Sequence, residues 1–427
     1  MLRSFARRIV SLCLLCTLNL PLASAVPGKN AGGSNRDDHG HRNRHVFVIV
    51  LENEGFDTTF GPNSKAPFLS KTLTAQGVLL NQYFGTGHVS LDNYVAMISG
   101  QAATPETRND CFVFADFNLT GITPDGQAIG SGCVYPASIK TVADQLKAAG
   151  RTWRAYMGDM GNDPRRESAT CGHAPLNQVD NTESAEAPSP SVPLGDQYAA
   201  RHNPFVYFHS IIDSPDCDAN VVNLNLLAKD LASEHTTPNF VFITPNLCDD
   251  GHDGPCKNGQ PGGLVSADLF LQKWVPMIMS SEAFRRDGLL IINFDEAGAT
   301  IAPNPAGGFI VNFDGLFCCN EQPGPNLAPF PQSSQISTFT LTFKSYGGDR
   351  TGAVLLSPFL KKGTVSDIPF NHYSMLKTIE DIFDLDEHLG YAAQPGLMGF
   401  FGCVNSDVEV RSHGQFPECR VPPDPNF

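Results

Sequence analysis

The chain has 427 residues, 17% of them charged and 41% hydrophobic, with 39 Gly, 32 Pro and 12 Cys. These values exclude a collagen, a coiled coil, a disordered tail protein and a multi-span membrane protein. They suit one large domain, or two smaller ones, with a sizeable core. The 44 acidic residues outnumber the 29 basic ones for a formal charge of −15, and there is no lysine-rich run, so nucleic acid is not an expected partner.

Residues 1–25 read as a secretory signal. Arg3, Arg7 and Arg8 precede the mostly apolar stretch Ile9 to Leu22, and Ala23-Ser24-Ala25 offers small residues for cleavage. Thr17, Asn19 and Pro21 interrupt that stretch, which argues against a stable membrane anchor. Removing the segment takes away three arginines and no acid, leaving a formal charge of −18 and ten cysteines. An even cysteine count in an exported chain implies disulfides, and the absence of a CxxC pair argues against zinc. Cys111–Cys133, Cys248–Cys256 and Cys403–Cys419 would close short loops.

Residues 26–44 form a polar lead-in, and one catalytic domain is expected over 45–427. The β-branched run His45–Leu51 predicts a buried strand, and Val78–Phe84 a shorter one. Helical spacing follows at Ser90–Ser99, closed by Gly100, and at Ile139–Ala149. Further strands are expected at Thr152–Met157, Phe240–Thr244, Leu289–Phe294 and Ala353–Ser357, with helices at Val265–Met279 and Tyr373–Phe383. This alternation predicts an α/β fold around a mostly parallel sheet. Two Pro-, Gly- or Ser-rich stretches, 162–197 and 302–347, read as long loops or cap insertions.

In such a sheet, ligands bind beyond the carboxyl ends of the strands. Glu52-Asn53 and Asp295-Glu296 each follow an expected strand, and Asn246, Asp249, Asp250 and His252 follow a third. One acidic pair alone would suit a turn or a helix cap. Carboxylates converging from three strand ends repel one another unless a cation intervenes, which predicts a divalent metal. In GHVSLDNY, Ser90 opens a helix, where backbone N–H groups could cradle a phosphate. Taken alone, Ser90 reads first as the helix cap, but beside metal ligands it reads better as an activated nucleophile.

The segments ENEGFDTTFG, GHVSLDNYVAMISGQ, RHNPFVYF, TPNLCDDGHDG, NFDEAG and NHYSMLKTIEDIF together resemble the bacterial and fungal phosphoesterase family. That family contains secreted acid phosphatases and phospholipases C within the alkaline phosphatase superfamily. The resemblance runs from about His45 to Tyr391 and is better to the acid phosphatase branch. It implies an alkaline-phosphatase-like sheet between helices and hydrolysis of phosphate monoesters through a phosphoserine. It implies Glu52, Asn53, Ser90, Asp295 and Glu296 as metal ligands and Ser90 as nucleophile. Asn93 and, more loosely, Asn109 would contact phosphoryl oxygens. His252 is the preferred general acid, and His372 a further site residue. His88 and His202 divide evenly between substrate contact and a structural turn.

PNLCDDGHDG places Asn246 where two-zinc relatives carry an acid, so one divalent cation of open identity is expected. The substrate would be a phosphorylated small molecule or lipid, extending to phosphoinositides such as phosphatidylinositol 3-phosphate. The alternatives are a phospholipase C that cleaves a phosphodiester and an extracellular binding module without catalysis.

Overall fold

The computed structural model describes residues 45–401, apart from Asp253 and Ser337. The expected signal segment, the lead-in and Cys403–Cys419 lie outside the described residues. In chain order, the strands that position the site are β1 (His45–Leu51), β2 (Val78–Leu80), β3 (Trp153–Met157), β4 (Val221–Asn223), β5 (Phe240–Thr244) and β6 (Gly288–Phe294). They continue with β7 (Thr300–Pro303), β8 (Phe309–Phe313), β9 (Gln332–Ile336), β10 (Phe339–Phe343), β11 (Ala353–Leu356) and β12 (Thr364–Ser366). The principal helices are α1 (Ser90–Ser99), α2 (Val142–Ala148), α3 (Gly263–Ser280) and α4 (His372–Ile382).

Eight strands form one sheet in the order β12-β2-β11-β6-β1-β5-β3-β4. All pairings are parallel except those of β11, which runs antiparallel to both β2 and β6. Every residue of β1 is buried, as its unbroken apolar run requires of a strand covered on both faces. Its side chains alternate between two cores. Val46, Val48 and Val50 pack with Leu91, Tyr94 and Ile98 of α1 and Met375, Leu376 and Ile379 of α4. Phe47, Ile49 and Leu51 pack with Phe270, Leu271, Trp274 and Ile278 of α3. The expected layer of sheet between helices is therefore present. No helix among the described residues is long and apolar enough to cross a membrane.

Local chemistry sets the element ends. The helix expected over 139–149 starts only at Val142, because Thr141 and Asp144 form a reciprocal capping box. Asn371 caps α4 by accepting from the Ser374 N–H at 3.1 Å. The expected strand 78–84 breaks at Asn81-Gln82, and Tyr83–Phe84 pairs instead with Phe370–Asn371. Disulfides join Cys111–Cys133, Cys171–Cys217, Cys248–Cys256 and the adjacent Cys318–Cys319. Two of the expected short loops are among them. The insertion over 302–347 is more ordered than a loop: β7 to β10 form their own four-stranded sheet in the order β7-β8-β10-β9, here called the cap sheet.

Glu380 of α4 is fully buried, and its Oε1 accepts from the Leu389 N–H at 2.9 Å. Burial raises its carboxyl to about 8. The folded chain thus holds a proton that the unfolded chain releases near the ordinary carboxylate value. This group's stabilising contribution is complete below that value and is lost as pH rises through about 8. Glu380→Gln keeps the acceptor and removes the proton. Thermal melts should show the variant more stable than wild type by about 2 °C or more above pH 8, with the gap closing toward pH 4.

Candidate active site

The register of β1 on β6 pairs Leu51 with Phe294, so the next residues, Glu52 and Asp295, leave the sheet side by side. β5 lies against the other edge of β1, and the chain beyond it returns so that the Asp250 carbonyl accepts from the Glu52 N–H at 2.8 Å. Three neighbouring parallel strands thus deliver buried carboxylates to one point, as their spacing in the sequence predicts. Burial comes first in raising the Glu52 carboxyl, and the charges of Asp295 and Asp250 push it further. Asp295 is raised by the same desolvation.

Ser90 is the first residue of α1, and its hydroxyl donates to Glu52 Oε2 at 2.8 Å. It is therefore not the helix cap. Val89 holds the cap position at φ 81°, a conformation that a β-branched residue adopts only under constraint. Glu52 collects further donors: Tyr94 Oη to Oε1 at 2.5 Å and Asn53 Nδ2 to Oε2 at 3.0 Å. His202 Nε2 stands 3.4 Å from the same Oε2, and its ring stacks on Tyr94. Asp295 Oδ1 accepts from the backbone N–H groups of Asn53 and Glu296 at 2.9 and 2.6 Å. Asp295 Oδ2 is buried without a hydrogen-bond partner.

Three expected roles change once the partners are known, those of Glu296, Asn93 and His372, and the even choice at His88 falls to the structural side. Glu296 does not point its oxygens at Glu52. Oε1 accepts from the Val89 N–H at 3.1 Å, and Oε2 is taken by His88 Nδ1. The other His88 nitrogen meets Asp349 Oδ2 at 2.9 Å. Burial opposes charge on this ring, but the two carboxylates outweigh it and raise the imidazole to about 9. His88 is a cationic clamp with no donor left for a substrate. Asn93 is fully buried and spends its amide inside the turn, accepting from Thr86 N at 2.8 Å and Gly87 N at 3.1 Å and donating to Gly87 O at 3.0 Å. His372 lies behind Asp295: its Nε2 is 2.6 Å from the Asp295 carbonyl and its Nδ1 2.8 Å from Tyr83 Oη. Burial lowers this imidazole to about 4, so as a neutral ring it donates to that carbonyl and accepts from the tyrosine.

The phosphate cradle expected at the start of α1 is altered in the same way. The Val89 and Leu91 N–H groups are satisfied by the carboxylates of Glu296 and Asp110. Gly87 is required in this turn, because a Cβ there would lie 2.4 Å from Asp92 Oδ2.

A cleft of about 850 Å³ opens over Ser90. Of the expected site residues, Asn53, Ser90, Asn109, His202, His252 and Glu296 line it, with His252 and Asn109 exposed. Asn246 and Asp249 line a separate, smaller cleft with Asp159 and Lys273. The sequence reading passed over Tyr94, Arg108 and Arg201. Tyr94 could have been found as the i+4 neighbour of Ser90 on one helix face, and Arg201 as the neighbour of His202. Arg201 is held between Asp110 and Glu183, at 3.6 and 3.4 Å.

Among the described residues no group of three or more His, Cys, Asp or Glu is arranged to hold a metal ion. The donors at the centre are instead oxygens of mixed origin, namely Glu52, Asp295, the Ser90 hydroxyl and the Asn53 amide. Together with the partnerless Asp295 Oδ2, this set fits one hard divalent cation.

A serine hydroxyl opening a helix and bonded to a strand-end carboxylate, on a mostly parallel sheet, defines an α/β protein with a serine-centred site. The chain matches the Phosphoesterase family over residues 62–386 and belongs to that family. It is similar to a phosphate-repressible acid phosphatase of Penicillium chrysogenum, 27% identical over 266 residues, covering 62% of this chain and 50% of that one. It is also similar to a phosphatidylinositol-3-phosphatase of Mycobacterium tuberculosis, 22% identical over 253 residues, covering 59% and 63%. The chain thus spans about half to three fifths of the length of the curated relatives it matches. A solved protein of the alkaline phosphatase superfamily from Vibrio parahaemolyticus aligns with a TM-score of 0.44 at 12% identity, over 81% of this chain and 67% of that one.

Asp295→Asn preserves the acceptor for Asn53 and Glu296 and removes one of two repelling buried charges. In chelator, differential scanning should show the variant melting about 2–5 °C above wild type. Added divalent cation should then raise the wild-type midpoint and leave that of Asp295→Asn nearly unmoved.

Proposed function

We propose that this protein is an exported, metal-dependent phosphomonoesterase of the acid phosphatase type. The observation that carries the reading is the 2.8 Å hydrogen bond from Ser90 Oγ to Glu52 Oε2, formed beside Asp295 at the floor of the cleft. Membership of the Phosphoesterase family supports the reaction class, and the acid phosphatase and phosphatidylinositol-3-phosphatase relatives support monoesters, phosphoinositides included, as substrates.

Ser90 Oγ attacks phosphorus in line, forming the Oγ–P bond as the bond to the leaving alcohol breaks, and the hydroxyl proton passes toward Glu52. The ring of His202 and the hydroxyl of Tyr94 hold Glu52 in the orientation that accepts it. His252, exposed at the cleft wall, protonates the leaving oxygen, and water then cleaves the phosphoserine to phosphate and free serine. Glu52, Asn53, Ser90 and Asp295 would hold the divalent cation, which would supply Lewis-acid stabilisation of negative charge developing at Ser90 Oγ and on the phosphoryl oxygens. His372 and the clamp formed by His88, Glu296 and Asp349 fix the backbone on either side of this set. The four described disulfides and the apolar signal-like residues 9–22 support export.

The test is release of p-nitrophenol from its phosphate monoester, run beside phosphatidylcholine hydrolysis and with and without chelator. Ser90→Ala should lose at least about 10³-fold in kcat with its fold intact by circular dichroism. Retained turnover would remove Ser90 as nucleophile. Faster cleavage of the phosphodiester would make the protein a phospholipase C, and inertness toward every ester would leave a binding module.

A further inference from the structure

On one face of the cap sheet, apolar side chains of β7, β8 and β10 form a graded track bordered by Gln332 and Ser334 of β9. Parallel pairing of β8 with β10 sets Phe313 opposite Phe343, Val311 opposite Leu341, and Phe309 opposite Phe339. Antiparallel β7 adds Ile301 beside Val311. These residues alternate with Ile310, Asn312, Thr340 and Thr342, so by the two-residue period of a strand they share one face. The track begins at the catalytic turn, where the Phe313 ring lies 4.5 Å from that of His88 and stacks on Phe343, which in turn carries the Arg108 guanidinium at 4.0 Å. Exposure rises along it. Phe313 and Phe343 are only 8% and 5% exposed, whereas Phe309, Phe339 and Ile301 reach 45%, 40% and 65%. Phe313, Val311, Leu341 and Ile301 line the same cleft as Ser90, so the track is continuous with the site. Four residues of strand separate its two ends, about 13 Å.

We infer that the cap sheet is the leaving-group subsite, and that it selects phosphate monoesters of alcohols bearing an extended unbranched apolar group. This rests on the phosphomonoesterase reading above and names the substrate class that the same site prefers. Three observations argue for such an occupant. The track is contiguous with the nucleophile. It is apolar on the three strands that carry it, β7, β8 and β10, while the rest of the cleft carries Arg108, Arg201, Asp110, Glu183 and Gln335. It also ends in open aromatic side chains, which stay wet unless a ligand covers them. A small polar alcohol would leave all of it exposed to water, whereas a chain of about ten carbons would cover its length.

The experiment is a series of n-alkyl phosphates from ethyl to decyl, each held below its micelle concentration. With wild type, kcat/KM should rise about twofold per methylene and level off when the chain passes Phe309 and Phe339. A flat series would overturn the assignment. Leu341→Asn, and independently Ile301→Ser on the outer strand, should each lower the octyl-to-ethyl ratio of kcat/KM, by about tenfold for the former. Both rates come from one preparation, so the ratio is insensitive to the fraction correctly folded. An unchanged ratio in both variants would also overturn the track. Calorimetric binding of octyl and ethyl phosphate to Ser90→Ala protein separates this inference from the reading beneath it. If wild type hydrolyses no ester, the phosphomonoesterase reading fails, and a binding preference for octyl phosphate that Leu341→Asn abolishes still decides the track.

Discussion

The structure is organised around two carboxylates that a parallel register forces together. Glu52 and Asp295 leave adjacent strands at equivalent positions, deep enough that water cannot screen them. Almost every polar group nearby is arranged in response. Tyr94, Ser90 and Asn53 donate to Glu52, two backbone N–H groups donate to Asp295, and His372 grips the Asp295 carbonyl from behind. The remaining oxygen of Asp295 has no donor. The repulsion that destabilises the fold at this point is what the proposed cation would relieve, and the buried Glu52 carboxylate is the acceptor of the Ser90 hydroxyl.

A second electrostatic knot lies one turn away. His88 sits between Glu296 and Asp349, and its positive charge offsets two acids that would otherwise add to the excess at the centre. Glu296 also holds the N–H of Val89, whose backbone lies in a region that β-branched side chains avoid. The arrangement trades local strain for a fixed position of Ser90, which the proposed nucleophilic role requires.

Much of this was legible in the sequence, for identifiable reasons. The run HVFVIVL can only be a strand buried on both faces, and the polar residues after it and after Leu289–Phe294 had to emerge at one edge of the sheet. What the pattern did not carry was partner choice. Glu296 is chemically as good a ligand as Asp295, yet its oxygens are taken by His88 and the Val89 N–H. Asn93 and His372 have the right chemistry for a phosphate, and only their depth shows that other groups consume it. The antiparallel direction of β11 was illegible too, since a fully buried strand looks the same from either end. The cap sheet was hidden because its strands lie among Gly and Pro, and because polar Asn312, Thr340 and Thr342 occupy its other face.

Asp349 also accepts from the N–H groups of Gly315 and Leu316 at 3.1 and 2.6 Å, while its other contact is His88. The segment that leaves the cap sheet is thereby fastened to the residue two before Ser90. A chimaera made by exchanging residues 300–343 alone would carry a foreign aromatic face against His88 and would break the seat that Asp349 shares with Gly315 and Leu316. The insertion is therefore mechanically coupled to the turn that precedes Ser90. Phe313, Gly315 and Asp349 form one mechanical unit with His88, so a substitution at any of them reaches the turn that carries Ser90.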